Sequence, residues 1–166
     1  MGDILGIQSG VIYEIHGYQP YNSSKFKNSD EIRIMIQHQD LNLLPSRSSI
    51  HITGRLTKPN GEALSRTSLI NNGVLHLFED IRYELNSIEI DRCKNVGLTS
   101  TMKGWVSFNP SQKLILENAG WLCENGYSIT NTAGYFDIFI PLNMILGFAE
   151  DYRKNNCKYE ARTHTL

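Results

Sequence analysis

Residues 81–90 read IRYELNSIEI, and this stretch decides the fold because two alternating arms flank a two-residue turn. The bulky apolar residues occupy every second position: Ile81, Tyr83 and Leu85 before the turn, Ile88 and Ile90 after it. A period of two is that of a strand with one buried face. Asn86-Ser87 between the arms suits a tight turn between antiparallel strands. The stretch therefore predicts a β-hairpin.

The same alternation recurs elsewhere in the chain. Strands are predicted at 31–37, 49–57 and 134–140, with shorter candidates at Val11–His16, Lys113–Glu117, Tyr127–Thr130 and Cys157–Thr163. Asn60-Gly61 predicts a chain reversal with Gly61 at positive φ. Helix is expected only as a short piece opened by Ser100–Lys103 and stopped at Gly104 and Pro110, and as a turn within Leu142–Phe148.

Six to eight short strands cut by Gly, Pro and Asn turns favour a sandwich or barrel over any alternation of strands and helices. We therefore expect an all-β, antiparallel jelly-roll sandwich with one or two short helices. Residues 1–27 are expected to form an N-terminal arm with a candidate first strand, and residues 28–166 a single jelly-roll domain. A chain of 166 residues is long enough to bury a core in one domain.

Composition argues against several classes of partner. The chain has sixteen Lys and Arg against seventeen Asp and Glu, for a net charge of −1. It therefore has no net positive charge that would attract nucleic acid. No signal peptide and no run of 18 apolar residues is present, so neither secretion nor a membrane is expected. Cys93, Cys123 and Cys157 show no CxxC spacing, and we expect free thiols.

Catalytic and metal-binding patterns are absent from the sequence. No nucleophile elbow, Walker loop, GxGxxG turn or HExxH helix occurs, and the five histidines are never spaced as HxH or i, i+4. The carboxylate pairs Glu79-Asp80 and Glu150-Asp151 are interpreted as solvated turn charges or as partners of Arg82 and Arg153. We therefore expect no enzyme activity and no cofactor.

Large aromatic side chains flank the least regular part of the chain, around residues 98–121. Trp105, Phe108 and Trp121 fit either of two roles there: packing in the core, or an apolar patch that meets a partner. As a patch they are the candidate assembly surface.

Four stretches together resemble the first roll of the double jelly-roll major capsid proteins. This family is found in large DNA viruses, in Maverick/Polinton-type elements and in related proteins of invertebrate genomes. The stretches are Tyr18–Tyr21 with Ser29–Ile34, Gln39-Asp40 with Leu44–Ser46, Asn71–Phe78 with Ile81–Asn86, and Phe136–Leu142 with Leu146–Tyr152. The resemblance covers most of residues 11–163.

The resemblance implies a capsid-type structural protein that assembles with other copies of itself or with related subunits, in a virion or inside a cell. The family's subunit carries two rolls, whereas this sequence spans about one. It is therefore expected to be a fragment, a shortened host-resident copy, or a single-roll protein that finds its second roll in another subunit. Because an uncovered roll exposes sheet edges and apolar surface, we expect that it is not a stable monomer.

The alternative function is a jelly-roll module that binds a glycan or a peptide, because the same fold carries lectins. Exposed aromatic side chains in a groove would favour that module, whereas flat apolar surfaces would favour assembly. A cupin-type enzyme ranks third, since it needs clustered histidines.

Overall fold

The computed structural model describes residues 4–8, 11–21, 30–36, 42–62, 68–122, 129–131, 133–152 and 161–165. The strands in these ranges are β1 (Ile4–Gln8), β2 (Val11–Glu14), β3 (Ile32–Ile36), β4 (Ser49–Arg55), β5 (Asp80–Leu85), β6 (Ile88–Lys94), β7 (Tyr135–Pro141) and β8 (Ala161–Thr165). The helices are α1 (Val96–Ser107), α2 (Pro110–Ile115), α3 (Leu142–Ile145) and α4 (Gly147–Asp151), with 3₁₀ helices at Pro45–Arg47, Gly73–Leu77 and Leu116–Ala119.

The strands pair in a nested order. β3 pairs with β8, β4 with β7 and β5 with β6, all antiparallel. Between β3 and β8, each pair therefore encloses the next one in the sequence, and the β5–β6 hairpin is the innermost pair. A further antiparallel pairing of β5 with β8 joins two of these pairs into a four-stranded sheet of order β3-β8-β5-β6. β4 and β7 form a separate two-stranded sheet, and β1 and β2 form a hairpin. Nested pairing of this kind is the connectivity of a jelly roll.

In the four-stranded sheet and in the β4–β7 sheet, the predicted alternation places residues of one side in the core. In β7, Phe136, Ile138 and Ile140 are buried, while Tyr135, Asp137 and Phe139 between them are exposed. One cluster of buried side chains receives residues from both larger sheets: Ile81 and Tyr83 of β5, Cys93 of β6, and the three buried residues of β7. The two sheets therefore share one core.

Several sequence predictions are confirmed in the described residues. The β5–β6 hairpin turns at Asn86 and Ser87, which have φ of 52° and 64° as such a tight turn requires. Gly61 has φ of 83°, as the predicted reversal at Asn60-Gly61 needs. Cys93 is a free, buried thiol. The predictions for Cys123, Cys157 and Arg153 lie outside the described residues, as do residues 127–128 and 157–160 of two predicted strands.

The expectation of one or two short helices is wrong, because the described part of the chain contains four α-helices and α1 runs for 12 residues. α1 was predicted to stop at Gly104, yet it continues through that residue to Ser107. Gly104 is part of the side of α1 that packs against the core. Gly104 allows the Trp121 ring to lie close to the backbone of α1, and it does not end the helix.

The predicted strand at Lys113–Glu117 is also wrong: these residues belong to α2 and the following 3₁₀ helix. Asn109 and Gln112 form a reciprocal capping pair. The backbone N–H of Gln112 donates to Asn109 Oδ1 at 2.9 Å, and the backbone N–H of Asn109 donates to Gln112 Oε1 at 3.0 Å. With Pro110 at the first helical position, this is a strong helix start that local strand propensity does not override.

Candidate assembly surface

α1 has an unusual division between its two sides. The residues that face the core are Val96, Gly97, Ser100 and Gly104, of which only the valine is a sizeable apolar residue. The opposite side exposes four large apolar side chains, Leu98, Met102, Trp105 and Val106, which we call the α1 stripe. Their spacing of i, i+4, i+7 and i+8 places them on one face of the helix. The apolar face of α1 is therefore turned away from the protein's own core.

Two glycines explain why α1 lies this way round. A Cβ at Gly97 would come within 2.6 Å of the Cα of His76, and a Cβ at Gly104 would come within 2.2 Å of the Trp121 ring. Real Cβ atoms do not approach other heavy atoms so closely, so larger residues at these positions would push the helix off the core. The small side of α1 is thus the side that fits, and the large apolar side is left outward.

A buried asparagine fixes the position of α1. Asn72, with 1% of its surface exposed and φ of 59°, directs its side-chain amide at the hydroxyl oxygens of Ser100 and Thr101, both at 2.8 Å, and at the Gly97 carbonyl oxygen at 3.3 Å. Its backbone N–H donates to the carbonyl of Gly120 at 2.8 Å. Asn72 therefore ties the first half of α1 to the segment that carries Trp121.

A lysine anchors the second half of α1. Lys103 Nζ donates to the carbonyl oxygen of Asn143 in α3 at 2.8 Å and to a carboxylate oxygen of Glu150 in α4 at 2.6 Å. These contacts hold α1 to the short helices behind it. The α1 stripe is consequently presented by a helix that is fixed along its length, which favours a specific contact over a loose one.

The structure brings the three predicted aromatic residues together as one cluster. Trp105 and Phe108 both pack edge-on against the Trp121 ring, with centroids 5.8 and 5.6 Å apart, and Lys113 Nζ lies 4.8 Å over the Trp105 ring. Trp105 is 63% exposed, Phe108 is partly buried and Trp121 is 1% exposed. Trp121 is thus a core residue that supports Trp105 from below, and only Trp105 offers most of its ring to solvent.

Sequence reasoning missed the rest of the α1 stripe. Leu98, Met102 and Val106 share a helical face with Trp105, so their spacing is the signal that was available. That signal is ambiguous in a sequence, because an apolar helical face is ordinarily the face turned to the core. Only the packing of Gly97 and Gly104 shows which side is buried.

A second surface with exposed aromatic rings lies on the outer side of β4 and β7. Its residues are His51, Arg55, Tyr135, Asp137 and Phe139, which we call the sheet face. The His51 ring stacks on Phe139 with centroids 4.0 Å apart, and its Nε2 lies 2.6 Å from Asp137 Oδ1. Arg55 lies 4.8 Å over the Tyr135 ring. The outward side of this sheet therefore carries three ordered rings, those of His51, Tyr135 and Phe139, beside the charged side chains of Arg55 and Asp137.

Two acidic side chains outside these surfaces, Asp80 and Glu150, have structural partners, and the described thiol of Cys93 is buried. Asp80 forms an ion pair with Arg92 and lies 3.7 Å from Arg82 Nε, which confirms the interpretation of that carboxylate. Glu150 pairs with Lys103. Burial, helped by the negative charge of Asp91, raises the pKa of the Cys93 thiol, so this thiol stays protonated and is not activated for attack.

The described ranges contain neither a metal-binding cluster of side chains nor a helix that could span a membrane. No group of three or more His, Cys, Asp and Glu side chains in them could hold a metal ion. None of the helices described is both long and apolar enough to cross a membrane.

Two grooves of the described surface have walls that do not include the exposed tryptophan, Trp105. One of about 470 Å³ runs between the 3₁₀ helix Gly73–Leu77 and the start of α1, with Leu77 and Leu98 in its wall. Another of about 320 Å³ is lined by charged and polar residues such as Asp80 and Arg92. The exposed rings of Trp105, Tyr135 and Phe139 line neither of these two grooves.

Comparison with known proteins gives one match. A family model described as a double jelly roll-like domain matches residues 67–162, which is more than half of the 166 residues. A search of curated proteins and a search of solved structures each found no match. The matched region includes two of the four stretches that carried the resemblance, Asn71–Asn86 and Phe136–Tyr152, together with all of α1. The chain therefore belongs to the double jelly roll-like domain family.

Proposed function

We propose that the protein is a capsid-type structural protein, viral or derived from an integrated viral element, that works as an assembly. Its partners in this proposal are other copies of itself or related capsid-type subunits, in a virion or inside a cell. The proposal assigns it no catalytic activity and no cofactor. The family supplies a fold suited to such a role, and the α1 stripe is the single observation that carries the proposal to this chain.

The energetic argument rests on solvent exposure of apolar surface. Met102 is 62% exposed and Val106 88% exposed, on the same face as Leu98 and Trp105. Removing apolar surface from water lowers the free energy by about 25 cal/mol for each Å². Contiguous exposed apolar patches usually mark a site of association. A helix fixed by Asn72 and Lys103 loses little freedom when its exposed face is covered. Association is therefore the favourable outcome for this surface.

Assembly is favoured over the binding of a glycan or a peptide by the shape of the aromatic surfaces. A small-ligand site is concave and closes around its ligand. Trp105 lies on a helix face, and Tyr135 and Phe139 lie on the flat outer side of a sheet, so none of these rings lines either groove. Flat apolar surfaces of this kind suit a protein partner.

We further infer that the four-stranded sheet and the β4–β7 sheet face each other as the two layers of a jelly-roll sandwich. The shared core supports this arrangement, because Ile81 and Tyr83 from one sheet and Ile138 and Ile140 from the other belong to one buried cluster. An experimentally determined structure should place the two sheets about 10 Å apart across that cluster. Sheets lying edge to edge would contradict the inference.

Replacing Met102 by glutamate tests the assembly. Wild-type protein at micromolar concentration is expected to sediment as a species larger than one chain. Met102→Glu should weaken association at least about tenfold, because a charge is placed in the centre of an apolar contact. Stability should change little, because the side chain is mostly exposed.

Ser107→Glu is the matched control for this experiment. It adds the same charge to the same helix at an exposed position outside the α1 stripe, five residues along from Met102. Ser107→Glu should assemble like the wild type. A wild-type protein that sediments as a single chain would remove the support for assembly.

A further inference from the structure

We infer that Asn60 is a site of spontaneous covalent modification, at which the side-chain amide is lost and an aspartate or an isoaspartate is formed. The sequence contains three Asn-Gly pairs, at residues 60–61, 72–73 and 125–126. Such pairs are open to this reaction because glycine has no side chain to crowd the attacking backbone nitrogen. The first two pairs lie in the described residues and have very different surroundings. The fold therefore decides which of them reacts.

The reaction has two steps and needs only water. The backbone nitrogen of Gly61 attacks Cγ of Asn60 and gives up its proton, and the side-chain nitrogen leaves as ammonia, so that a succinimide ring forms. Water then adds to one of the two ring carbonyl carbons. Cleavage of the new C–N bond gives aspartate, and cleavage of the original peptide C–N bond gives isoaspartate. In sum, one water is consumed and one ammonia is released.

The Asn60-Gly61 pair lies in an exposed reversal that has room for this movement. Both residues are exposed, and a Cβ placed on Gly61 would meet no atom within 4 Å. The Gly61 N–H donates to the Lys58 carbonyl oxygen at 2.9 Å, and this contact has to open before the nitrogen can reach Asn60 Cγ. Opening is local and costs little at an exposed turn, because water replaces the lost hydrogen bond.

A hydrogen bond to the Asn60 side chain assists the attack. The backbone N–H of Glu62 donates to Asn60 Oδ1 at 3.2 Å. A donor on this oxygen withdraws electrons from Cγ. It also stabilises the negative charge that develops on the oxygen as the new C–N bond forms, as one donor of an oxyanion hole does. The reversal therefore leaves the side-chain carbon of Asn60 accessible and polarised.

The Asn72-Gly73 pair has the same two residues but is protected. Both residues are buried, and the Asn72 side-chain nitrogen, which would be the leaving group, lies 2.8 Å from the hydroxyl oxygens of both Ser100 and Thr101. The Gly73 N–H donates to the Ile70 carbonyl oxygen at 2.8 Å, and Gly73 begins a 3₁₀ helix. Reaction at Asn72 requires this buried segment to open and admit water, which costs a large part of the stability of the fold.

Modification changes the reversal in two ways. Either product adds a carboxylate at residue 60, two positions from Glu62, so the modified chain is more acidic and separates by ion exchange. Isoaspartate also carries the chain through the former side chain, which lengthens the backbone by one carbon atom. The contact that closes the unmodified reversal, from the Lys58 N–H to the Glu62 carbonyl oxygen at 2.8 Å, is fitted to the shorter backbone.

Incubation of the folded wild-type protein in neutral buffer, followed by tryptic peptide mapping, tests the inference. Trypsin releases residues 56–66, with Asn60, and residues 67–82, with Asn72, as separate peptides, because it does not cut between Lys58 and Pro59. Asn60 should convert to aspartate and isoaspartate. Asn72 should convert at least about tenfold more slowly, because its reaction waits for a buried segment to open. A sample digested without incubation gives the background.

The chain unfolded in guanidinium chloride is the matched control, because both pairs are then exposed in an unchanged sequence. Asn72 and Asn60 should react at comparable rates in this state. Two variants test the chemistry in the folded protein, once circular dichroism has established that each is folded. Gly61→Ala should slow the reaction at Asn60 several-fold, because the added methyl group crowds the attacking nitrogen. Asn60→Gln should stay unmodified, because its longer side chain does not form the succinimide ring.

Three results would overturn the inference. In the first, Asn60 stays intact in the folded protein over the time in which the unfolded chain reacts. In the second, Asn72 reacts as fast as Asn60 in the folded protein, so that the fold does not choose between them. In the third, Gly61→Ala reacts at the wild-type rate, so that the Gly61 nitrogen is not the attacking atom. The inference does not rest on the proposed function, and none of these results bears on assembly.

Discussion

Trp121→Ala is expected to lower the free energy of unfolding by about 3–5 kcal/mol, the usual range when a large aromatic residue is removed from a core. Trp121 is 1% exposed, and its ring lies directly over Gly104 of α1. Trp105 and Phe108 pack against its edges. Its removal would leave a cavity between α1 and the core that the fixed backbone around it cannot close.

Trp105→Ala is the matched control, because it makes the same substitution in the same cluster at a ring that is 63% exposed. It should lower stability by at most about 1.5 kcal/mol, the contribution of one edge-to-face aromatic contact. In the sedimentation experiment the order of the two effects reverses: Trp105→Ala should weaken association more than Trp121→Ala, because Trp105 belongs to the α1 stripe. Chemical denaturation followed by circular dichroism measures the stability of both variants. Equal losses for the two would contradict the assignment of Trp121 to the core.

The strands could be predicted from the sequence because their alternation is simple. Ile81 and Tyr83 before the Asn86-Ser87 turn are buried as the alternation predicts, and so is every second residue of the segment 134–140. The prediction is wrong for the arm after the turn, where Ile88 and Ile90 are exposed. Which strands pair could not be read from the same pattern. Pairing of β3 with β8 joins residues more than a hundred positions apart, and alternation says nothing about the partner.

The helices and the candidate site were harder to predict, for a different reason. The side of α1 that packs against the core carries Gly97, Ser100 and Gly104, so no apolar periodicity marks it. The periodicity that does exist belongs to the α1 stripe, which faces solvent. The aromatic composition directed attention to Trp105 and Trp121 alike, and only packing separates the exposed ring from the buried one. The sequence shows that both tryptophans are apolar, but it does not show which of the two the fold has room to bury.

Asn72→Ala is expected to lower the free energy of unfolding by about 2–4 kcal/mol, from two causes. Asn72 has φ of 59°, a left-handed conformation that asparagine tolerates better than alanine. Its side-chain amide is also the hydrogen-bond donor to the buried Ser100 hydroxyl and to Thr101. Buried oxygen atoms that lose a donor destabilise the folded state, because water cannot replace it. Chemical denaturation measures the change.

Asn86→Ala separates the two causes. Asn86 has φ of 52° but lies exposed in the β5–β6 turn, so its replacement should lower stability by about 1 kcal/mol from backbone strain alone. Asn72→Gly supplies the complementary case, since glycine accepts the left-handed conformation but loses the amide donor. If Asn72→Ala is no worse than Asn86→Ala, the amide does not hold α1. If it is worse by the expected margin and also weakens assembly, the orientation of the α1 stripe depends on a buried residue that never touches the partner.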